Sequence, residues 1–393
     1  MRSLQEYVER NTPSREQIDL FLDEQAHTWS RFDPEVGYVL GNYMPKDGID
    51  NSSTISTSGN ALFRTQHHYA DKPCRINTFG NSFTQGQQVS DGETWQEYLA
   101  AHLGEPIRNF GVGGFGVYQA YRRLLRTAKD NAMTGYNLLF IWGDDHNRSI
   151  LRSRFIVTAG TGNPEELPVF HGNFWANVEM NLSRGEMEEN ESLCPTPESL
   201  YRMTDSDFVY QAVGGDLMAQ IYLFLNNDIN TIDLDKMCDL AEILGVAVDR
   251  NGTDASLRES LAGLRDEYGF AATRYVLRKT KALVESNGRR LMIVLMCPRA
   301  LSQLVETGAR YDQPIVDFLS LEGYNSFDVN VAHVEDLRSF NLSLELYKKR
   351  YLTGHYNPAG NHFLAFSIKN KVVDWLEPKP ATYGGPEGVA AYV

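Results

Sequence analysis

From Arg75 onward the chain repeats one pattern: a short apolar run ending in glycine or polar residues, then an amphipathic stretch of helical period. The run RINTF stops at Gly80 and is followed by the helix TWQEYLAAHL, which Gly104 closes. A second strand is expected over 107–110, a helix over 118–129 and a third strand at YNLLFIW, 136–142. After a long break the pattern resumes with a helix over 271–286, the strand RLMIVLM, a helix over 311–321 and the strand SFDVNV. A last helix is expected over 358–375, with Asn357 as its cap and Pro358 in its first position. Strands alternating with helices of this length form parallel sheets with helices on both faces. The expected fold class is therefore α/β, a three-layer α/β/α sandwich around a mostly parallel sheet. Open sheets of this kind bind ligands at the C-terminal ends of their strands, where the glycines and polar residues of this chain collect.

The rest of the chain breaks the rhythm. Residues 1–73 read as an N-terminal extension packed on the core, with a polar helix over 14–29 and a loop rich in Ser, Thr, Asn and Gly over 47–60. Residues 150–268 show no βαβ spacing. They hold an acidic segment (186–191) and helical stretches over 208–225, 234–244 and 257–268, and read as a largely helical insertion that caps the sheet. The core is then 74–149 with 269–380, and 381–393 form a C-terminal tail.

Composition narrows the function classes. The 393 residues carry a net charge of −14, which argues against non-specific nucleic-acid or anionic-membrane binding. Cys74, Cys194, Cys238 and Cys297 are far apart with no CxxC pair, so neither a disulfide framework nor a zinc site is expected. No signal peptide and no transmembrane run is visible, and the chain reads as cytoplasmic.

Four segments carry the chemistry. Gly80-Asn81-Ser82 ends the first strand, which would leave Ser82 on the C-terminal rim with helix amides behind it. Asn109-Phe110-Gly111-Val112-Gly113-Gly114 ends the second strand. It lacks the spacing of a dinucleotide fingerprint, so close backbone approach is its main use. Asp144-Asp145-His146-Asn147-Arg148 follows the third strand. Neighbouring residues rarely fan into one coordination sphere, so neither metal nor other cofactor is expected there. His355 stands just before the last helix, where a loop imidazole can reach over the sheet rim.

Together and in order, these segments resemble the SGNH (GDSL-type) hydrolase superfamily, which shares a flavodoxin-like sheet. The lead-in FDPEVGYVL with NSSTISTSGNALFR is similar to the N-terminal extension of its long members. The resemblance implies that Ser82 is the nucleophile, His355 the base, and Ser82, Gly114 and Asp144 the positions of the oxyanion hole. Asn81, Asn109, Asp145, His146, Asn147, Arg148 and Asp328 are candidate substrate or supporting residues. Three positions depart from the family pattern. Asn81 replaces the Asp of Gly-Asp-Ser. Asp144 replaces an Asn, so it is protonated through burial, or has another role, or Asn147 supplies the amide. Leu352 and Thr353 stand where the family places the carboxylate that orients the histidine. A Ser82–His355 dyad, Asp328 or Asp144 are the alternatives there.

The function this implies is a serine hydrolase that cleaves a carboxylic ester through an acyl-Ser82 intermediate. An acyltransferase on the same site, or a catalytically degenerate binding protein of the same fold, are the alternatives. The expected partner is a small-molecule or saccharide ester, with no nucleic acid and no membrane span. Arg148, Arg152 and Arg154 could face a carboxylate-bearing substrate.

Overall fold

Five strands form one parallel sheet in the computed structural model of the protein, which describes residues 2–23, 25, 26, 28–59, 63–158 and 173–384. They are β1 (Ile76–Phe79), β2 (Ile107–Asn109), β3 (Tyr136–Trp142), β4 (Arg290–Met296) and β5 (Ser326–Asp328). Their order is β2-β1-β3-β4-β5, and every pairing is parallel. The chain therefore moves outward from β1 to β2 on one side and from β3 to β5 on the other. Right-handed crossovers then send the connecting helices to opposite faces, and the order reverses between β1 and β3.

The long strands are apolar over 138–142 and 291–296 because both faces of the sheet are covered. Residues 138–141 of β3 and 292–296 of β4 are all buried. One face, through Ile76, Leu138, Phe140, Met292 and Val294, packs on Trp95, Leu99 and Leu103 and on Leu364, Ile368 and Val372. Each such aliphatic side chain contributes roughly 1.5–3 kcal/mol by its burial.

The helices that matter to the site follow in chain order. They are α1 (Ser82–Gln85), α2 (Trp95–Leu103), α3 (Val117–Lys129), α4 (Asp254–Ser286), α5 (Val329–Leu337) and α6 (Pro358–Trp375). Asn357 caps α6 as its sequence predicts, its Oδ1 accepting from the Gly360 amide at 2.9 Å.

Two compact units divide the chain. One comprises residues 42–115, 123–143 and 278–393 and holds the whole sheet. The other comprises residues 1–41, 116–122 and 144–277. The latter contains two antiparallel hairpins, Ser30–Asp33 with Gly37–Leu40 and Asn177–Asn181 with Glu186–Asn190. Tyr38 of the first hairpin stacks on Trp175 at 6.1 Å.

Several local expectations change. SFDVNV stops being a strand at Asp328, whose carboxylate accepts from the Asn330 amide and starts α5 there. The stretch 208–225 is two helices, Ser206–Gly214 and Leu217–Leu225, because Asp216 caps the second through the Ala219 amide. The stretches 257–268 and 271–286 fuse into the single helix α4. The acidic segment forms the strand Glu186–Asn190. Its hairpin turn is held by Asn181 Oδ1, which accepts from the Ser183 and Arg184 amides. The polar helix of the lead-in is shorter, Arg15–Leu22, with a capping box between Ser14 and Gln17. Ala381–Tyr383 form a single 3-10 turn. Residues 385–393 of the expected tail and 159–172 of the expected insertion lie outside the described residues. Among the described residues no helix is long and apolar enough to cross a membrane.

Candidate active site

Ser82 opens α1 directly after β1, at the C-terminal edge of the sheet. Its helix is capped by Asn81, whose Oδ1 accepts from the amides of Phe83 and Thr84, and the Asn81 carbonyl accepts from Gln85. These bonds use up the first-turn donors except the Ser82 amide itself. Asn81 performs this cap as a neutral amide, so the position needs no carboxylate.

The second glycine-rich segment behaves in the same way. The Gly111 amide donates to Asn109 Oδ1, Val112 to the Gly80 carbonyl, Gly113 to Gln85 Oε1, and Phe115 to the Val112 carbonyl. The Gly114 amide is the one these bonds leave over. Gln85 is the joint between the two segments, since its carbonyl also accepts from Asn109 Nδ2 at 3.1 Å. The approach is so close that a Cβ on Gly111 would lie 2.2 Å from the Gln85 nitrogen. Asn109 is therefore a buried strut of this loop.

His355 reaches the serine from the other end of the chain. A tight antiparallel turn pairs Leu352–Thr353 with His355–Tyr356, hinged at Gly354. It places His355 Nε2 2.8 Å from Ser82 Oγ. Phe83 supports the pair from below, its ring 5.2 Å from the imidazole and edge-on to Tyr356 at 5.3 Å. Ser82 itself is nearly buried.

The other nitrogen of His355 meets a residue that the sequence did not single out. Nδ1 lies 3.2 Å from Gln88 Oε1, and the His355 amide donates to the same oxygen at 2.7 Å. Gln88 is six positions after Ser82 in an unremarkable GQQVS run, and only its proximity to Ser82 could have drawn notice. Its backbone is left-handed, with φ 71°. The loop around it is clamped by the buried Arg64. That guanidinium donates to the carbonyls of Gln85, Gly86 and Val89 at 2.6 Å each and to Asp91 Oδ1 at 2.7 Å.

Asp328 is engaged elsewhere. It pairs with Arg310, which also grips Asp312 with two bonds, and it caps α5. The carboxylate proposed for His355 is thus not supplied from this position.

Residues 144–148 belong to the second compact unit. Asp144 is half-exposed rather than buried, and its Oδ2 is 3.5 Å from Arg148 Nη2. Arg148 also reaches Asp145 Oδ1 at 3.1 Å. His146 Nδ1 contacts Thr273 Oγ1 at 2.8 Å and its ring stands edge-on to Phe270. Asn147 is buried, and its Nδ2 donates to Tyr222 at 3.3 Å. These side chains bind one another, α4 and the helix Leu217–Leu225. Among the described residues no group of three His, Cys, Asp or Glu is placed to hold a metal ion.

No protein-family model matches the chain, and no curated protein matches it.

Proposed function

We propose that the protein is a serine hydrolase that cleaves a carboxylic ester, with Ser82 as nucleophile and His355 as general base, on a sheet of the SGNH type. The contact of 2.8 Å between Ser82 Oγ and His355 Nε2 carries this reading. A serine hydroxyl is a weak nucleophile at neutral pH and needs a base within hydrogen-bond reach. The site's place at the strand ends supports the reading, because β1 borders the point where the strand order reverses.

In the proposed reaction His355 Nε2 takes the proton from Ser82 as Oγ adds to the ester carbonyl. The tetrahedral oxyanion is stabilised by the spare amides of Ser82 and Gly114, each worth about 3 kcal/mol if it acts as a typical oxyanion donor. Nε2–H then protonates the leaving alcohol, and the acyl group stays on Ser82. Water, activated by the same imidazole, releases the acid. An acceptor alcohol in place of that water would make the same site an acyltransferase.

Short-chain p-nitrophenyl esters and Ser82→Ala test the reading. Hydrolysis by the wild type and its loss in Ser82→Ala are expected. Equal hydrolysis by the variant would overturn it.

A further inference from the structure

We infer that Gln88 is the positioning residue of His355: its side-chain oxygen holds the imidazole in the tautomer that leaves Nε2 free to accept the Ser82 proton. The inference rests on the proposed role of Ser82 and His355 and adds the group that makes it chemically workable.

The protons follow from the geometry. A backbone N–H can only donate, so the Gln88 side-chain atom 2.7 Å from the His355 nitrogen is the amide oxygen. The same oxygen faces His355 Nδ1 at 3.2 Å. An oxygen carries no proton to give, so Nδ1 bears the hydrogen and donates to it. In a neutral imidazole the other nitrogen then carries the lone pair. Nε2 is therefore the acceptor, and the Ser82 hydroxyl donates to it across 2.8 Å. This is the proton arrangement that a general base needs before attack.

The surroundings are built to hold that one oxygen in place. Gln88 adopts φ 71°, a conformation that costs a non-glycine residue strain. The Arg64 clamp on residues 85, 86 and 89 fixes the loop on both sides of it. Opposite, Gly354 has φ 96°, and a Cβ there would sit 3.0 Å from Gln88 Oε1. The turn that carries His355 is thus bare of side chain where the Gln88 amide docks. An amide oxygen orients the ring as a carboxylate would, yet brings no negative charge of its own to the imidazolium.

The test uses the full chain with 15N-histidine and two variants of similar length. Gln88→Glu keeps an oxygen acceptor, whereas Gln88→Met fills the space without one. Two-bond proton–nitrogen correlations above pH 8 report the tautomer of each histidine, and His355→Gln identifies the signal. The expected result is an Nδ1–H tautomer of His355 in wild type and Gln88→Glu, with the Nε2–H form gaining in Gln88→Met. With an ester substrate, Gln88→Met should lower kcat at least tenfold at little-changed KM. Gln88→Glu should retain most of kcat and move the acidic limb of kcat/KM to higher pH, since its carboxylate favours the imidazolium. An Nε2–H tautomer in the wild type overturns the inference, as does a Gln88→Met protein with wild-type tautomer. A chain that shows the expected tautomers but hydrolyses no ester and takes up no serine-directed probe refutes the hydrolase reading alone.

Discussion

Ser82 Oγ and His355 Nε2 lie 2.8 Å apart, although 273 positions separate them in the chain. The parallel sheet sets one side of that contact by ending β1 at Gly80. The other side is set by the short turn that precedes α6. Neither element is unusual, and the reactivity proposed for Ser82 comes from their meeting.

The Gly113–Gly114 turn depends on close contact with α1. Gly111→Ala would place a methyl 2.2 Å from the Gln85 nitrogen and push the turn away from the serine helix. Overpacking of this kind costs about 1–3 kcal/mol of stability. Because the spare Gly114 amide moves with the turn, kcat should fall at least tenfold while circular dichroism stays that of the wild type. Unchanged kcat would separate this turn from catalysis.

Arg64 is a buried cation whose guanidinium bonds the Asp91 carboxylate, with backbone carbonyls accepting from its other nitrogens. Burial holds its guanidinium below the usual arginine range. Asp91→Ala leaves that charge without its counter-ion, which costs about 3–5 kcal/mol. Urea unfolding should show the loss. A double change, Arg64→Met with Asp91→Leu, should recover part of it, because an apolar pair leaves no buried charge.

His333 gives the sheet-bearing unit a pH dependence. Its Nε2 is 2.6 Å from the Tyr356 hydroxyl and its Nδ1 is 2.9 Å from that of Tyr347, which itself donates to Asp336. Tyr347 thus spends its proton on Asp336 and accepts from His333 Nδ1, so Nε2 accepts from Tyr356. Burial pushes this imidazole down to about 4 from 6.5. The folded state therefore refuses a proton that the unfolded chain accepts, and stability is lost as pH falls from 6.5 toward 4. Between pH 7 and pH 5 this one group should remove about 2 kcal/mol. Urea midpoints at the two pH values measure it, and His333→Gln should show a smaller difference between them.

Much of this was legible before the structure. The strand–helix alternation from Arg75 gives the parallel sheet, and Asn357-Pro358 gives the start of α6, because caps and period are local signals. Ser82 and His355 stood out through their place at element ends. Gln88 did not, since a glutamine in a loop has no residue-type signature and its role exists only through the distant His355 turn. Asp328 misled for the opposite reason: a carboxylate near a strand end looked available, but Arg310 and the α5 amides claim it. The two stretches joined in α4 read as separate helices, 257–268 and 271–286, with Gly269 between them. In the fold that glycine lies against Asn147, where a Cβ would come within 2.2 Å of Oδ1. The Glu186–Asn190 strand was hidden by its charge, since acidic runs usually mark solvent rather than sheet.

The most direct measurement of the central claim is covalent labelling by a fluorophosphonate, read by mass spectrometry of the digested protein. The account predicts one phosphonylated residue, Ser82, in the folded wild type. Labelling should be absent after denaturation and in Ser82→Ala, and strongly slowed in His355→Ala. A folded wild-type protein that stays unlabelled under conditions where a known serine esterase reacts, or that is labelled at a residue other than Ser82, would contradict it.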